Sequence, residues 1–160
     1  MIERLYTTGV YGKTEEQFFA QLADAQIELF CDIRQRRGVR GAQYRFVNRT
    51  YLQQALANRS IGYLYVPLLA PTTEIRETQH AIDETQGIAK RARTELGGEF
   101  KRRYIHEVLD RFDTNAFLDS IDPHIQRMVL FCVEAKPEAC HRSLVADCLA
   151  RDWKIPVEHL

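Results

Sequence analysis

The chain has 160 residues, the usual size of one domain, and a chain of this length buries a core without the help of disulfides. Hydrophobic residues make up 45% of the sequence and charged residues 28%, which excludes a disordered chain. No apolar run is long enough to cross a bilayer, so a membrane protein is not predicted. The formal net charge is zero, which argues against a protein that coats nucleic acid with its whole surface but permits a local basic patch.

The start of the sequence and its cysteines predict the compartment. No basic segment followed by an apolar stretch comes after Met1, so a signal peptide is not expected and the protein is predicted to be cytoplasmic. Reducing conditions in the cytoplasm keep cysteines as thiols. Free thiols are therefore expected at Cys31, Cys132, Cys140 and Cys148.

Strand and helix patterns alternate from the beginning of the chain. Residues 2–8 mix β-branched and aromatic side chains and stop at Gly9, which predicts a first strand. Thr14-Glu15-Glu16-Gln17 has the form of a capping box and begins a predicted helix. Residues 27–33 are a short apolar run that is typical of a strand buried on both faces.

A long polar segment follows the second predicted strand. Residues 35–49 contain two glycines and many arginines, which predicts a loop, and Asn48 is predicted to cap the helix that follows it. Residues 61–66 predict a third strand. The charged segment 71–110 is predicted to be largely helical with a break at Gly97-Gly98.

The last third of the chain completes the alternation. Residues 112–121 predict a short helix, and the apolar run at 127–133 predicts a fourth strand. Apolar residues at helical spacing between 144 and 149 predict another helix, and Pro156 opens a last short strand. The whole chain, residues 1–160, is therefore predicted to be one three-layer α/β domain with a mostly parallel sheet and helices on both faces.

Polar residues leave the predicted strands at one edge of this sheet. In a parallel sheet the carboxyl ends of all strands share an edge, and ligands bind in the crevice there. The residues predicted to converge at this edge are Thr7, Thr8, Asp32, Arg34, Cys132 and Glu134.

The segment from Cys132 to Arg142 carries the densest chemistry. Cys140 lies close to a predicted helix N-terminus, and together with His141 and Arg142 this position favours a thiolate, which makes Cys140 a candidate nucleophile. The alternative is a small buried residue without chemistry. A helix that begins at Pro137 would place Cys140 a full turn inside it and weaken the dipole argument.

Two arginines and two carboxylates offer a second kind of chemistry. Arg34 and Arg142 can hold a phosphate or carboxylate, with Cys132, His141 and Thr8 as further ligand-binding candidates. Asp32 and Glu134 can act as acid–base groups. The alternative is a set of salt bridges that only fixes the loops at the sheet edge.

Metal and cofactor signals are weaker. Cys132, Cys140 and His141 with Glu134 can in principle bind a metal, because thiolate, imidazole and carboxylate are all zinc ligands. The spacing lacks the short Cys-x-x-Cys pairs of structural zinc sites, so metal is the weaker hypothesis and none is predicted. Thr8-Gly9-Val10-Tyr11-Gly12 is too short a signal for a dinucleotide site. No cofactor is expected.

Two basic stretches favour an anionic partner. Arg36, Arg37 and Arg40 lie in the long loop with aromatic residues nearby, which can grip phosphates and stack on bases. Lys90, Arg91 and Arg93 form the second stretch. Each stretch alone is more typical of a solvated loop.

Three short motifs carry a resemblance to a known family. They are Asp32-Ile33-Arg34, Cys132-Val133-Glu134 and Cys140-His141-Arg142, flanked by Thr7-Thr8-Gly9 and Val157-Glu158-His159. Over nearly the whole chain the sequence resembles the bacterial family known as domain of unknown function 488. The resemblance implies the fold and the site but no particular reaction.

These observations predict an enzyme that acts on an anionic ligand, related to a nucleotide or nucleic acid, at the carboxyl edge of the sheet. The alternative is a non-catalytic nucleotide or nucleic-acid binding module that uses its arginine-rich loops.

Overall fold

Five strands form the centre of the molecule in a computed structural model that describes residues 1–160. They are β1 (Arg4–Thr8), β2 (Leu29–Asp32), β3 (Gly62–Tyr65), β4 (Arg127–Phe131) and β5 (Val157–His159). The sheet order is β3-β2-β4-β1-β5, and every neighbouring pair is parallel. The sheet predicted to be mostly parallel is therefore entirely parallel.

Helices cover both faces of this sheet, which confirms the predicted three-layer α/β fold. The six helices are α1 (Glu15–Asp24), α2 (Arg49–Ala57), α3 (Thr73–Gln86), α4 (Gly98–Glu107), α5 (Thr114–Asp119) and α6 (His141–Trp153). α1 and α2 pack on one face through Phe18 and Leu52, while α3 to α6 cover the other face. None of these helices combines the length and the apolar composition that crossing a bilayer requires.

The helix starts follow the sequence signals with one exception. Thr14 and Gln17 form the predicted capping box of α1. Asn48 occupies the N-cap position of α2, but the predicted side-chain cap is wrong. The Asn48 Oδ1 atom instead accepts a hydrogen bond from the Val39 N–H at 2.7 Å, because this half-buried loop donor needs an acceptor.

The start of α6 decides the position of Cys140. Pro137–Ala139 form a separate 3-10 turn, and Cys140 follows in an extended conformation as the N-cap residue of α6. Cys140 is therefore at the helix N-terminus, as the nucleophile hypothesis requires, and not one turn inside the helix.

After β4 the chain crosses to the face of the sheet opposite to the one it takes after β1 and β2. The helices after β1 and β2, α1 and α2, lie on one face of the sheet, whereas α6, which follows β4, lies on the other. Such a change of direction opens a crevice at the carboxyl edge, where α/β proteins bind their ligands. The topology therefore places the crevice beside the end of β4.

The loops after β1 and β4 contact each other closely. The backbone N–H groups of Val10 and Tyr11 both donate to the Val133 carbonyl at 3.1 Å. A Cβ atom built on Gly9 would lie 1.9 Å from the carbonyl oxygen of Glu134. Glycine at position 9 is therefore what allows the two loops to approach.

We expect Gly9→Ala to destabilise the protein by about 3 kcal/mol, since a backbone carbonyl cannot yield to the new methyl group as a flexible side chain would. Urea unfolding followed by circular dichroism measures this. Gly98→Ala is the control, because a Cβ there meets nothing within 4 Å. Equal unfolding midpoints for the two variants would contradict the close approach of the loops.

Candidate active site

Register brings the predicted site residues to one edge of the sheet. Thr8 on β1 and Asp32 on β2 are both paired with Phe131 at the end of β4. Cys132 follows Phe131 directly, so the ends of three neighbouring strands meet there. Side chains far apart in sequence thus surround the end of β4, although they do not all face the same space.

Asp32 is the centre of a buried ion pair. Arg34 donates from Nε and Nη2 to its two carboxylate oxygens at 2.8 and 2.7 Å, and the Tyr63 hydroxyl donates to Oδ2 at 2.8 Å. The Arg34 guanidinium also lies 4.7 Å from the centre of the Phe131 ring. Burial, and then the Asp32 charge, raise the pKa of Tyr63 to about 12.

This geometry favours a positioning role for Asp32. Both of its oxygens are occupied, and the side chain is fully buried and does not line the neighbouring cavity. Arg34, in contrast, lines that cavity, and its Nη1 atom is buried without a hydrogen-bond partner. The catalytic role of Asp32 stays a prediction, while its contacts show how it holds Arg34.

We expect Asp32→Asn to cost about 3 kcal/mol of unfolding free energy, because it leaves the Arg34 charge buried without a counterion. Chemical denaturation at neutral pH measures the loss. Glu158→Gln is the matched control, since it breaks an exposed ion pair with Arg4 and exposed pairs contribute well under about 1 kcal/mol. A loss as small as that of the control would show that Asp32 does not stabilise the site.

Arg142 holds a loop. Its guanidinium is buried and donates from Nη1 to the Glu134 carbonyl at 2.6 Å and from Nη2 to the Ala135 carbonyl at 3.1 Å. It does not line the cavity. The ligand-binding role of Arg142 stays a prediction, and its contacts fix the turn between β4 and α6.

Thr8 belongs to a second polar cluster, on the side of β1. Its hydroxyl accepts hydrogen bonds from Gln21 at 2.6 Å and from the Lys13 ammonium at 3.4 Å, and it does not line the cavity. Burial, and then the charge of Arg142, lower the pKa of Lys13 to about 8. Ligand binding by Thr8 therefore stays a prediction that the position of its side chain does not favour.

The lowered pKa of Lys13 predicts a pH dependence of stability. Between about pH 8 and its ordinary pKa of 10.5 the unfolded chain binds more protons at Lys13 than the folded protein, so this residue makes stability rise with pH. We expect the stability of the wild type, relative to Lys13→Met, to increase across that interval in urea titrations. A difference between the wild type and Lys13→Met that stays constant across that interval would contradict the shift.

Cys132 and Glu134 are linked at the end of β4. The Cys132 thiol donates to Glu134 Oε2 at 3.1 Å, and Arg93 donates from Nη2 to Oε1 at 3.1 Å. Arg93 also reaches Asp83 at 2.9 Å and the Ala139 carbonyl at 3.2 Å. A hydrogen bond to Cys140, and then burial, raise the pKa of Cys132 to about 12, and burial raises the pKa of Glu134 above that of an ordinary carboxyl group.

Cys140 and His141 begin α6. His141 Nε2 lies 3.0 Å from the Ile33 carbonyl, which can only accept, so Nε2 carries the proton and Nδ1 is left as the acceptor. Nδ1 lies 3.7 Å from the Cys140 sulfur, and the Cys140 side chain is 1% exposed. Burial works against protonation of the imidazole, yet the polar groups around it, chiefly Cys132, raise the pKa of His141 overall.

A cavity of about 450 Å³ opens onto these groups. Cys132, Glu134, Cys140 and His141 form what we term its floor. The rest of the lining is strongly basic and has seven Lys or Arg side chains, so Glu134 on the floor is the single carboxylate of the whole cavity. The basic side chains are Arg34, Arg36, Arg40, Arg76, Lys90, Arg91 and Arg93.

The two basic stretches of the sequence meet at this cavity. Arg36 and Arg40 from the long loop face it, as do the residues of the second stretch. Arg37 does not line it, and its guanidinium instead lies 3.9 Å from the centre of the Tyr65 ring. Nucleic-acid binding by these arginines stays a prediction.

A family match covers most of the chain. Residues 14–149 match the family model described as domain of unknown function DUF488. The chain belongs to the DUF488 family. The resemblance predicted from the sequence motifs is thereby confirmed, and the matched range includes every residue of the floor. No curated protein and no solved structure matches the chain.

Membership of DUF488 implies no particular activity, and the geometry of the site is what bears on function. The site contains residues that were not predicted from the sequence, namely Arg76, Gln79 and His80 of α3, which line the cavity. Gln79 and His80 follow Arg76 by three and four residues, so all three lie on one face of the helix, and this spacing could have indicated them from the sequence. Nothing in the sequence indicated that Arg93 would form ion pairs with both Asp83 and Glu134.

Proposed function

We propose that this DUF488 protein is an enzyme that binds a phosphate-bearing ligand of nucleotide size in the basic cavity and acts on it at the floor. The observation that supports this best is the concentration of positive charge. The cavity has seven basic side chains and one carboxylate, in a chain whose formal net charge is zero. A cleft lined by charges of one sign attracts ligands that carry charge of the opposite sign.

Several of these basic side chains have N–H donors that can bind a ligand oxygen. Arg36 and Arg40 form no ion pair, and Lys90 is 3.9 Å from its nearest carboxylate oxygen. Arg34 is held rigidly by Asp32 but keeps Nη1 without a partner. A buried donor without a partner costs free energy, so a ligand oxygen that accepts from it gains affinity.

The dimensions of the site favour a nucleotide over a polynucleotide. Its volume of about 450 Å³ lies within the range of small-molecule sites. Tyr11 also lines the cavity, and the Arg91 guanidinium lies 5.1 Å from the centre of its ring. An aromatic ring and an arginine next to a phosphate-binding surface offer a stacking surface for a base.

Glu134 is the acid–base group in this proposal. It is the carboxylate that lines the cavity, and hydrogen bonds from Cys132 and Arg93 fix its orientation. A general acid or base has to be held within reach of the substrate, which the buried Asp32 is not. Cys140 and His141 complete the reactive groups on the floor.

We expect Arg36→Gln combined with Arg40→Gln to weaken nucleotide binding about tenfold or more, because each charge-assisted hydrogen bond contributes roughly 1.5–3 kcal/mol. Isothermal titration with nucleoside mono-, di- and triphosphates at low and moderate salt measures this, and the affinity should fall with salt. Arg37→Gln is the matched control from the same loop. Equal losses in both proteins, or no nucleotide binding by the wild type, would contradict the proposal.

Turnover separates the enzyme from the second candidate, the non-catalytic binding module that uses the same basic loops. Nucleotides that bind are incubated with the protein, and the products are analysed by liquid chromatography and mass spectrometry. We expect conversion by the wild type and loss of conversion with retained binding for Glu134→Gln. Binding without conversion by the wild type would identify a binding module.

A further inference from the structure

We propose that Cys132, Cys140 and His141 form a three-ligand site for a zinc-class divalent cation, with its fourth position open to the basic cavity. The sequence spacing did not predict a metal site. The folded chain supplies what the spacing lacks, because the two sulfur atoms and a ring nitrogen of His141 all lie within 4.8 Å of one another.

The separations fit tetrahedral coordination after a small contraction. Zn–S bonds of about 2.3 Å and Zn–N bonds of about 2.0 Å place ligand atoms roughly 3.5 to 4 Å apart. The Cys140 sulfur is already 3.7 Å from His141 Nδ1. The three ligands come from two rigid elements, the end of β4 and the start of α6, so little entropy is lost when they close on an ion.

The hydrogen bond of His141 orients its imidazole so that Nδ1 is free to bind a metal. Its Nε2–H donates to the Ile33 carbonyl at 3.0 Å, which fixes the tautomer and directs the lone pair of Nδ1 to the side of the Cys140 sulfur. A hydrogen bond from the distal ring nitrogen to a carbonyl is the arrangement that supports histidine ligands in metal proteins.

The open position gives the ion a chemical role. The cluster has no fourth protein ligand, and all three of its members line the cavity, so the fourth ligand is water or an oxygen of a bound molecule. Three protein ligands with an open position are typical of catalytic zinc, which activates water and polarises phosphoryl oxygens. Glu134 also lines the cavity and would be the neighbouring acid–base group. Cys140 is a ligand in this arrangement, not the nucleophile predicted from the sequence.

Binding is balanced by proton release. The two thiols give up their protons to solvent as the S–metal bonds form, and the imidazole binds in its neutral form without losing a proton. No oxidant or reductant is needed. The inference concerns the ion alone, and it is tested without any anionic ligand, so it can fail or succeed independently of nucleotide binding.

The test is cobalt substitution in the full chain. Protein purified under reducing agent and freed of metal is titrated with Co²⁺ and then with Zn²⁺. We expect about one Co²⁺ per chain, thiolate-to-cobalt charge-transfer bands, the intense visible bands of tetrahedral cobalt, and displacement by Zn²⁺. The wild-type spectrum decides the question even where a variant fails to fold, and circular dichroism checks each variant.

Matched variants assign the ligands. Cys132→Ser, Cys140→Ser and His141→Ala should each weaken Co²⁺ binding at least about tenfold and change the spectrum. Cys148→Ser and the cavity variant His80→Asn should leave both unchanged. The proposal is overturned if the wild-type spectrum lacks thiolate bands, if Cys132→Ser and Cys140→Ser bind like the wild type, or if the intact mass shows a Cys132–Cys140 disulfide in the reduced preparation.

Discussion

Buried guanidinium groups need hydrogen-bond acceptors from every side, and this requirement organises the carboxyl edge of the sheet. Arg34 is paired with the carboxylate of Asp32, Arg93 with two carboxylates and a carbonyl, and Arg142 with two carbonyls, while Arg34 Nη1 and Arg142 Nε have no partner within the chain. Arg34 fixes the turn in which it lies, Arg142 fixes the turn between β4 and α6, and Arg93 joins α3, the end of β4 and the turn before α6. Because a buried charge without its partner is costly, these contacts fix the loops around the cavity.

The three arginines act differently although they look alike in the sequence. Arg142 is enclosed by the turn after β4 and shapes it, whereas Arg34 keeps one nitrogen without a partner at the cavity. Arg93 reaches from the segment after α3 to Glu134 and so brings that segment to the floor. Which of them contacts a ligand depends on where their partners lie, and that is a property of the fold.

The fold and the convergence of strand ends at the candidate site could be predicted because they follow from periodicity and from the geometry of parallel strands. Asp32 and Cys132 lie near each other because Asp32 on β2 is paired with Phe131 at the end of β4, and Cys132 follows Phe131 in the chain. The direction of individual side chains could not be predicted in this way. Asn48 had the residue type of a helix cap, but a half-buried N–H at Val39 competes for its oxygen. Similarly, Thr8 leaves β1 at the right edge but turns to Lys13 and Gln21.

Sequence spacing is a poor guide to metal ligands where a turn brings distant residues together. The short 3-10 turn at Pro137–Ala139 returns the chain to the end of β4, so that Cys140 approaches Cys132 across a loop too long for the familiar zinc motifs. The same turn makes Cys140 the N-cap of α6 and thereby points His141 toward Ile33. One local structure thus creates both the helix start and the convergence of ligands.

The net charge of the floor does not change when a divalent cation binds, so a cation and an anionic ligand can share this site. A divalent ion bound by two thiolates and a neutral imidazole adds no net charge to the floor, because the two protons that leave balance the charge of the ion. The cavity therefore keeps its excess of basic side chains whether or not the ion is bound. The distant arginines and Lys90 can hold phosphate oxygens, while the open coordination position polarises the reacting atom. Long-range attraction and local chemistry would then come from different groups, which is why substitutions in the arginine loop and on the floor should separate binding from turnover.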